Sequence, residues 1–212
     1  MKTEILKSTK KNIKKIANII RDGGVVGYPT DTIYGLGADP FNHEAVKNIF
    51  MLKEREIGSS IILLVGKNYD ITRLVNVNEV ARVLMNEFWP GPLTIIMPIT
   101  ASAKSSLSPF VYGEHTTLAL RVPDSAEALD ILNECNMPIT STSANLHGMP
   151  NPKNAMDVFD AFNGQIPAIL DGGELNNSAS TIVSVADDHV EIIREGKITK
   201  QQIMDAIKIE NE

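Results

Sequence analysis

The sequence predicts an α/β fold built on one mixed sheet. Apolar runs typical of buried strands alternate with segments of helical periodicity through most of the 212 residues. The last strands follow one another without helices between them, which favours a sheet with both parallel and antiparallel neighbours. With 43% hydrophobic residues the chain can bury one core, and we expect a single domain over residues 1–212.

The helices are predicted from apolar periodicity and from capping residues. Ser8 or Thr9 begins a first helix that Gly23 and Gly24 end, and Asn42 begins a second. Further helices are predicted over 77–88 and 126–133, from Pro152 through Phe159, and after the cap Thr199.

The strands are predicted from continuous apolar runs, which are typical of strands with helices on both faces. These runs lie at 25–29, 60–65, 93–97, 117–122, 139–142, 168–170, 181–185 and 190–194. Residues 102–114 contain a proline, several serines and a glycine, so we predict an irregular stretch there, a candidate mobile flap.

Charge and hydropathy limit the classes of function. The net charge of −6 argues against a protein that coats nucleic acid by bulk electrostatics, while local basic sites remain open. In the basic segment 1–21, Ile13, Ala17 and Ile20 form a stripe that favours a core-facing helix over a membrane-surface one. The segment lacks the apolar core of a signal peptide, and no apolar run reaches the ~20 residues that span a bilayer. We therefore expect a cytoplasmic protein.

Neither a disulfide nor a metal site is predicted. The single cysteine, Cys135, follows an apolar helical run, which favours a buried inert thiol over a catalytic one. Walker and nucleophile-elbow motifs are absent from the sequence. The histidines have no ligand spacing. They are His43, His115, His147 and His189.

A candidate phosphate site begins with the hydroxyl- and glycine-rich residues 28–38. One helix later come Lys53 and Arg55, whose side chains fall on the same face of an extended segment. An ammonium and a planar guanidinium together suit a polyphosphate. On spacing alone a solvated surface is favoured, because Lys53-Glu54-Arg55-Glu56 alternates in sign.

Two further motifs are candidates for ligand binding. Arg121 lies inside an apolar strand, where it must pair with Asp124 or another acid, or else bind an anionic ligand. Ser141, Ser143 and Asn145 follow a strand end, where open α/β sheets usually bind ligands. Their hydroxyl and amide groups can bind a ribose, phosphates or an amino acid, although such turns are common at strand ends.

Together these motifs resemble the YrdC-like family, the threonylcarbamoyl-AMP synthases. The segments 28–38, 53–55, 90–94, 120–123 and 141–148 follow in the family's order, and the resemblance runs from about residue 10 to residue 200. It implies a twisted open sheet with a concave cleft. It also implies an enzyme that forms threonylcarbamoyl-AMP and pyrophosphate from L-threonine, bicarbonate and ATP, for the threonylcarbamoyladenosine modification of tRNA. Mg²⁺ would arrive with ATP, and other proteins of that pathway and weakly bound RNA would be partners.

The resemblance also implies the binding residues, with no certain catalytic residue among them. Those for ATP are Lys53, Arg55, Ser59, Thr117, Ser143, Asn145, Asn151 and Arg194. Those for threonine are Thr32, Arg121, Ser141 and Ser180. The chain departs from the family at Glu56, Ser59 and Ser60, where members often carry a proline and a second lysine. A diverged paralogue that binds nucleotide or double-stranded RNA without this activity therefore remains the alternative.

Overall fold

Ten strands of the described residues form one mixed sheet, and eight helices pack on it. The computed structural model describes residues 2–54, 58–146, 148–176, 178–186 and 189–209. The strands are β1 (Glu4–Lys7), β2 (Val26–Tyr28), β3 (Gly35–Gly37), β4 (Ile62–Leu64), β5 (Leu93–Pro98), β6 (Thr117–Arg121), β7 (Ile139–Ser143), β8 (Ala168–Asp171), β9 (Thr181–Ser184) and β10 (Glu191–Arg194). The helices are α1 (Lys10–Arg21), α2 (His43–Leu52), α3 (Glu79–Phe88), α4 (Ala101–Ser106), α5 (Pro109–Tyr112), α6 (Ala126–Cys135), α7 (Ala155–Phe162) and α8 (Lys200–Ile209).

The sheet confirms the predicted mixture of parallel and antiparallel strands. Its order is β1-β8-β2-β3-β7-β4-β6-β5-β9-β10. The pairs β1–β8, β2–β8, β4–β6 and β5–β9 are parallel, and the other neighbours are antiparallel. β8 is separated from β9 and β10, with which we grouped it in sequence, and lies at the opposite end of the sheet.

The two faces of the sheet are covered unequally. The larger core cluster lies on one face and includes residues from helices α2 to α5, α7 and α8. On the other face, α1 and α6 pack over a smaller cluster that contains Leu64 and Ile139. Side chains two residues apart on a strand share a face, so Ile62 and Ser141 belong to this second face. Both line the cavity described below, which is therefore the uncovered part of the face that α1 and α6 cover.

Side-chain caps begin most helices where the sequence predicts them. Thr9, rather than Ser8, accepts the first-turn amide of α1, and Asn42 caps α2. Two predicted starts are wrong by two or three residues, because an asparagine provides the cap further along. Asn78 precedes α3, and Asn154, rather than Pro152, precedes α7.

Residues 102–114 differ from the predicted irregular flap. Thr100 caps the short helix α4, and Pro109 occupies the first turn of α5. Val111 and Tyr112 are buried, so α5 is packed against the core rather than free of it. The sequence also gave no indication of β1 and β3, which are only four and three residues long.

The thiol and the helices agree with two other expectations. Cys135 is buried, with its Sγ 3.9 Å from the carbonyl of Ala17. Burial raises the pKa of this thiol to about 11, so it is uncharged near neutral pH. None of the described helices is long and apolar enough to cross a membrane.

Candidate functional site

A cavity of about 440 Å³ opens on the uncovered part of the sheet. Three cationic side chains line it, those of Lys53, Arg121 and Arg194, and its described lining contains no carboxylate. Hydroxyl and amide groups supply most of the remaining polar lining. In a chain of net charge −6, this arrangement makes the cavity a local site for anions.

Most residues of the two predicted groups meet in this cavity. They are Lys53, Ser143, Asn145, Asn151 and Arg194 from the first group, and Thr32, Arg121, Ser141 and Ser180 from the second. Thr117 is on the same face of β6 as Arg121 but lies outside the lining. Ser59 is also outside it, whereas its neighbour Ser60 is part of it. Arg55 and Glu56 fall outside the described residues.

The loop between β2 and β3 brings backbone and hydroxyl groups to the cavity. Thr30 Oγ1 accepts hydrogen bonds from the amides of Thr32 and Ile33 at 3.1 and 3.2 Å, and lies 3.0 Å from Thr32 Oγ1. These bonds satisfy the turn internally. The hairpin also requires glycine at position 37, where a Cβ would come 2.7 Å from the ring of Tyr28. The position of Thr32 is therefore fixed by local contacts.

The sequence left open whether Arg121 pairs with an internal acid or faces a ligand site. In the structure it pairs with an acid and also lines the cavity. It is 4% exposed, and its Nη2 donates to the carboxylate of Asp31, which is the internal acid, rather than Asp124. Nε donates to the carbonyl of Gly91 at 2.9 Å and Nη1 to Thr32 Oγ1 at 3.0 Å. Burial lowers the pKa of Arg121, and the Asp31 carboxylate opposes this shift.

Arg121 also retains hydrogen-bonding capacity toward the cavity. A guanidinium has five N–H groups, and contacts with the described residues use one on each nitrogen. Within the described residues one N–H on each terminal nitrogen takes no partner, and a guanidinium with two such groups can bind a carboxylate. Asp31, which accepts from Nη2, is outside the described cavity lining.

Lys53 is buried rather than solvated, at 4% exposure. It follows the last turn of α2, and its Nζ donates to the backbone carbonyls of Ser143 and Asn145, the latter at 2.7 Å. The two side-chain oxygens are at 3.4 and 3.3 Å. The ammonium therefore connects the end of α2 to the loop after β7, which unites two motifs that are 90 residues apart.

Arg194 lies at the other side of the cavity, on the edge strand β10. Its Nε and Nη2 donate to the carbonyl of Ser180 at 3.2 and 2.8 Å, and Ser180 Oγ lies 3.0 Å from Thr94 Oγ1. Burial, and secondly the charge of Arg121, lower the pKa of Arg194. Two guanidiniums that repel each other across a cavity favour the binding of an anion between them.

Sequence reasoning missed the residues that support these side chains. Asp31 lies inside the motif 28–38, but no local signal pairs it with a residue 90 positions away. Thr30 contacts Thr32 within the turn, and the hydroxyl of Thr94 pairs with that of Ser180. The backbone carbonyl of Gly91 accepts a hydrogen bond from Arg121. Only the tertiary structure identifies them.

The fold and the cavity together define an α/β protein with a cationic cleft for small anionic ligands on an open sheet. No cluster of metal-ligating side chains occurs among the described residues. The chain belongs to the Sua5/YciO/YrdC family, whose description reads "Telomere recombination", and residues 18–196 match that family.

Individual relatives agree in sequence and in fold. The threonylcarbamoyl-AMP synthase of Bacillus subtilis is 39% identical over 206 residues, which are 95% of this chain and 58% of that protein. The crystal structure of Pyrococcus abyssi Sua5 complexed with L-threonine superposes with a TM-score of 0.90 at 31% identity, over 98% of this chain and 61% of that one. Escherichia coli YciO superposes with a TM-score of 0.84 at 25% identity, over 95% and 98% of the two chains. The chain spans between 53% and 58% of the length of three curated relatives that it matches.

Proposed function

We propose that this chain forms threonylcarbamoyl-AMP and pyrophosphate from L-threonine, bicarbonate and ATP. The curated relatives that carry the name of this activity match nearly the whole chain, at 32–39% identity in three cases. The product is a substrate for modification of tRNA, so we expect a cytoplasmic protein with the other enzymes of that modification as its partners.

The observation that carries the proposal is the environment of Arg121. A buried guanidinium that is held by Asp31, Thr32 and Gly91 lines the cavity, and each of its terminal nitrogens has one N–H beyond those that these partners use. An amino acid carboxylate fits this bidentate donor pair. Ser141 and Ser180 in the same lining supply hydroxyls for the remaining polar groups of threonine.

The nucleotide phosphates are assigned to the remaining cations. Lys53 and Arg194 line the same cavity, and the sequence places Arg55 two residues from Lys53. Ser143, Asn145 and Asn151 orient the nucleotide by neutral hydrogen bonds. Mg²⁺ enters with ATP and is coordinated by phosphates and water, in keeping with a described lining that has no carboxylate.

The reaction depends on positioning and on electrostatics. The threonine amine attacks the bicarbonate carbon to give a carbamate and water, and a carbamate oxygen then displaces pyrophosphate from the α-phosphate. Neither histidine nor carboxylate occurs in the described lining, so the proton of the ammonium passes to bicarbonate or water. Lys53 and Arg194 stabilise the negative charge that develops as pyrophosphate leaves.

The test supplies ATP with Mg²⁺, L-threonine and carbon-labelled bicarbonate, and resolves the products. We expect labelled threonylcarbamoyl-AMP and an equal amount of pyrophosphate, both absent when threonine is omitted. ATP binding without threonine-dependent consumption would contradict the proposal and indicate the diverged paralogue instead.

A further inference from the structure

The cavity that attracts anions must also hold a cation when an amino acid binds in it. Lys53, Arg121 and Arg194 line the cavity, and no group of the described lining carries the opposite charge. An α-ammonium must therefore donate its N–H groups to neutral oxygens. A hydroxyl oxygen faces such a donor with a lone pair when its own hydrogen points elsewhere. The direction of each lining hydroxyl thus decides where the ammonium binds.

The hydroxyl hydrogen of Thr30 is used by the backbone. Thr30 Oγ1 lies 2.7 Å from the carbonyl oxygen of Ile33, and a carbonyl only accepts, so the hydroxyl donates to it. Two oxygens at this distance are in contact as a hydrogen-bonded pair, which requires the hydrogen between them. Thr30 therefore has no hydrogen left for a second acceptor.

This bond determines the direction of the neighbouring hydroxyl, that of Thr32. The two Oγ1 atoms are 3.0 Å apart, and since Thr30 has used its hydrogen, Thr32 is the donor. Thr30 Oγ1 thus accepts from this hydroxyl as well as from the amides of Thr32 and Ile33. Arg121 Nη1 occupies one lone pair of Thr32 Oγ1 at 3.0 Å. One lone pair remains, so Thr32 meets a ligand only as an acceptor.

Burial preserves the direction of both hydroxyls. Thr30 is 4% exposed and Thr32 is 2% exposed, so water competes little with the internal bonds. Turning the Thr32 hydrogen toward the cavity would break the bond to Thr30, which is costly for buried polar groups. An oxyanion against Thr32 would meet a lone pair, whereas an N–H would meet its acceptor.

Arg121 places this acceptor beside the proposed carboxylate site. Its Nη1 donates one N–H to Thr32, and the second N–H of the same nitrogen takes no partner within the described residues. A carboxylate bound to that second N–H is therefore a neighbour of Thr32 Oγ1. In an α-amino acid the nitrogen is attached to the carbon next to the carboxylate. The ammonium and the acceptor are thus brought to the same side of Arg121.

We propose that Thr30 is a positioning residue, which fixes Thr32 as the acceptor for the α-amine of the substrate. The inference deepens the proposed function and rests on it, because this nitrogen forms the carbamate. With one N–H held by Thr32, the remaining bonds of a tetrahedral nitrogen point away from the β2–β3 loop and into the cavity, where it meets bicarbonate. The same contact selects an α-amino acid over a carboxylic acid that has no amine.

The first experiment compares two ligands that differ only in the amine. (R)-β-Hydroxybutyrate is threonine with a hydrogen in place of the α-amine, and it keeps the carboxylate and the hydroxyl. Calorimetric titration measures both ligands on the wild type, on Thr32→Val, which removes the acceptor, and on Thr32→Ser, which restores it. Loss of the Thr32 contact on Arg121 affects both ligands, so the ratio of the two losses isolates the amine.

We expect Thr32→Val to lose about tenfold more affinity for threonine than for β-hydroxybutyrate, because a hydrogen bond to a charged group disappears. Thr32→Ser should retain the affinity of the wild type for both ligands. Thr72→Val is the control, because Thr72 is exposed and outside the described cavity lining. It should leave both affinities unchanged.

The second experiment tests Thr30 with the same two ligands. Thr30→Val frees the hydrogen of Thr32, so threonine affinity and kcat should fall while β-hydroxybutyrate affinity and the KM for ATP change little. Thr30→Ser should restore all four quantities. A role in folding alone gives a different result, because the same loop carries Asp31, which holds Arg121. Displacement of the loop would then weaken the binding of both ligands equally.

Equal losses for the two ligands in Thr32→Val or in Thr30→Val overturn the inference, as does threonine affinity that survives in Thr32→Val. If Thr30→Val does not fold, the ratio in Thr32→Val decides, since it measures the acceptor directly. Synthesis of threonylcarbamoyl-AMP by the wild type is measured in parallel. The expected ratios without synthesis would contradict the proposed function alone. Synthesis with equal losses for the two ligands would contradict this inference alone.

Discussion

The guanidinium of Arg121 joins three segments of the chain that are far apart in sequence. Asp31 and Thr32 come from the β2–β3 loop, and Gly91 precedes β5. Because the arginine is 4% exposed, these bonds both compensate its burial and fix its orientation. Structural support and the proposed ligand binding thus involve one side chain.

The substitution Arg121→Lys tests both properties. Lysine preserves the charge but replaces a planar fork by one nitrogen, which cannot reach all three partners. We expect threonine affinity to fall about tenfold or more and the free energy of unfolding to fall by roughly 1–3 kcal/mol. ATP affinity without threonine should change little. Calorimetric titration of each ligand, with urea unfolding, measures all three quantities.

Asp31→Asn is the matched variant, because it alters the support without touching the described cavity lining. It should destabilise the protein, since it leaves a buried guanidinium without its carboxylate. Unchanged threonine affinity in folded Arg121→Lys would show that Arg121 serves the fold alone and would contradict the assigned carboxylate site.

The thiol of Cys135 predicts a decline of stability at alkaline pH. Burial raises its pKa from 9.0 to about 11. Between these pH values the thiol is ionised in the unfolded chain and protonated in the folded state. The contribution of the protonated thiol to the free energy of unfolding is fully present below pH 9 and is lost as pH rises through about 11. Its loss should amount to about 2 kcal/mol at the upper end.

Urea unfolding across this pH range measures the effect, as the difference between the wild type and Cys135→Ala. Taking the difference removes the parallel contribution of Tyr28, whose pKa is also raised by burial. Parallel stability curves for the two proteins between about pH 9 and pH 11 would contradict the prediction.

At the scale of single elements, apolar runs and capping residues predicted most of the fold. β3 was missed because Gly-Leu-Gly has no strand propensity, and it pairs only through its neighbours β2 and β7. β1 was missed because it is a short edge strand with mostly exposed residues. The helices of residues 102–114 are four and six residues long, too short for periodicity to identify.

The candidate site was predictable to a similar extent. Side-chain chemistry and spacing indicated Lys53, Arg121, Ser141, Ser143 and Asn145, and the family resemblance added the lining residues Thr32, Asn151, Ser180 and Arg194. The supporting partners were not predictable, since the Arg121–Asp31 and Lys53–Ser143 contacts each join positions 90 residues apart. Only strand order brings such pairs together.

Lys53 couples two elements, α2 and the loop after β7, and its removal should loosen that loop. In Lys53→Met the stem is kept, but the carbonyls of Ser143 and Asn145 lose their ammonium donor. The amide of Ala144, which donates to the carbonyl of Tyr34 at 2.9 Å, reports on the loop. Its hydrogen exchange should accelerate about tenfold.

Lys47→Met provides the control, because Lys47 lies on the same helix and outside the described cavity lining. Exchange at Ala144 should be unchanged in this variant, and amides of α1 should be unchanged in both. Equal rates at Ala144 in the wild type and in Lys53→Met would show that the loop is stable without the ammonium.

At the scale of the whole molecule, one face of the sheet carries both a part of the core and the cavity. Helices α1 and α6 cover one part, and the cavity occupies the uncovered part. β4 and β7 contribute residues to both parts, Leu64 and Ile139 to the core and Ile62 and Ser141 to the cavity. A ligand bound in the cavity as proposed would contact the strands on which the core is built, and we expect its binding to stabilise the entire fold.

Because a ligand that binds the folded state raises the melting temperature, the size of that rise measures how tightly each amino acid binds. Threonine at about 100 times its dissociation constant should stabilise the folded state by about 2.7 kcal/mol, which is roughly 5–11 °C for a chain of this size. Serine lacks the methyl group, a loss of roughly 1–3 kcal/mol, and at the same concentration should give about two thirds of that shift or less.

Valine should give the smallest shift, because it leaves the hydroxyl groups of the cavity without their partner. Scanning fluorimetry compares the three amino acids in the presence of ATP, with ATP alone as the baseline. In Arg121→Lys the threonine shift should fall to about half or less, while the shift from ATP remains. Equal shifts from serine, valine and threonine would contradict selection for threonine, because a site that reads both methyl and hydroxyl cannot bind all three equally.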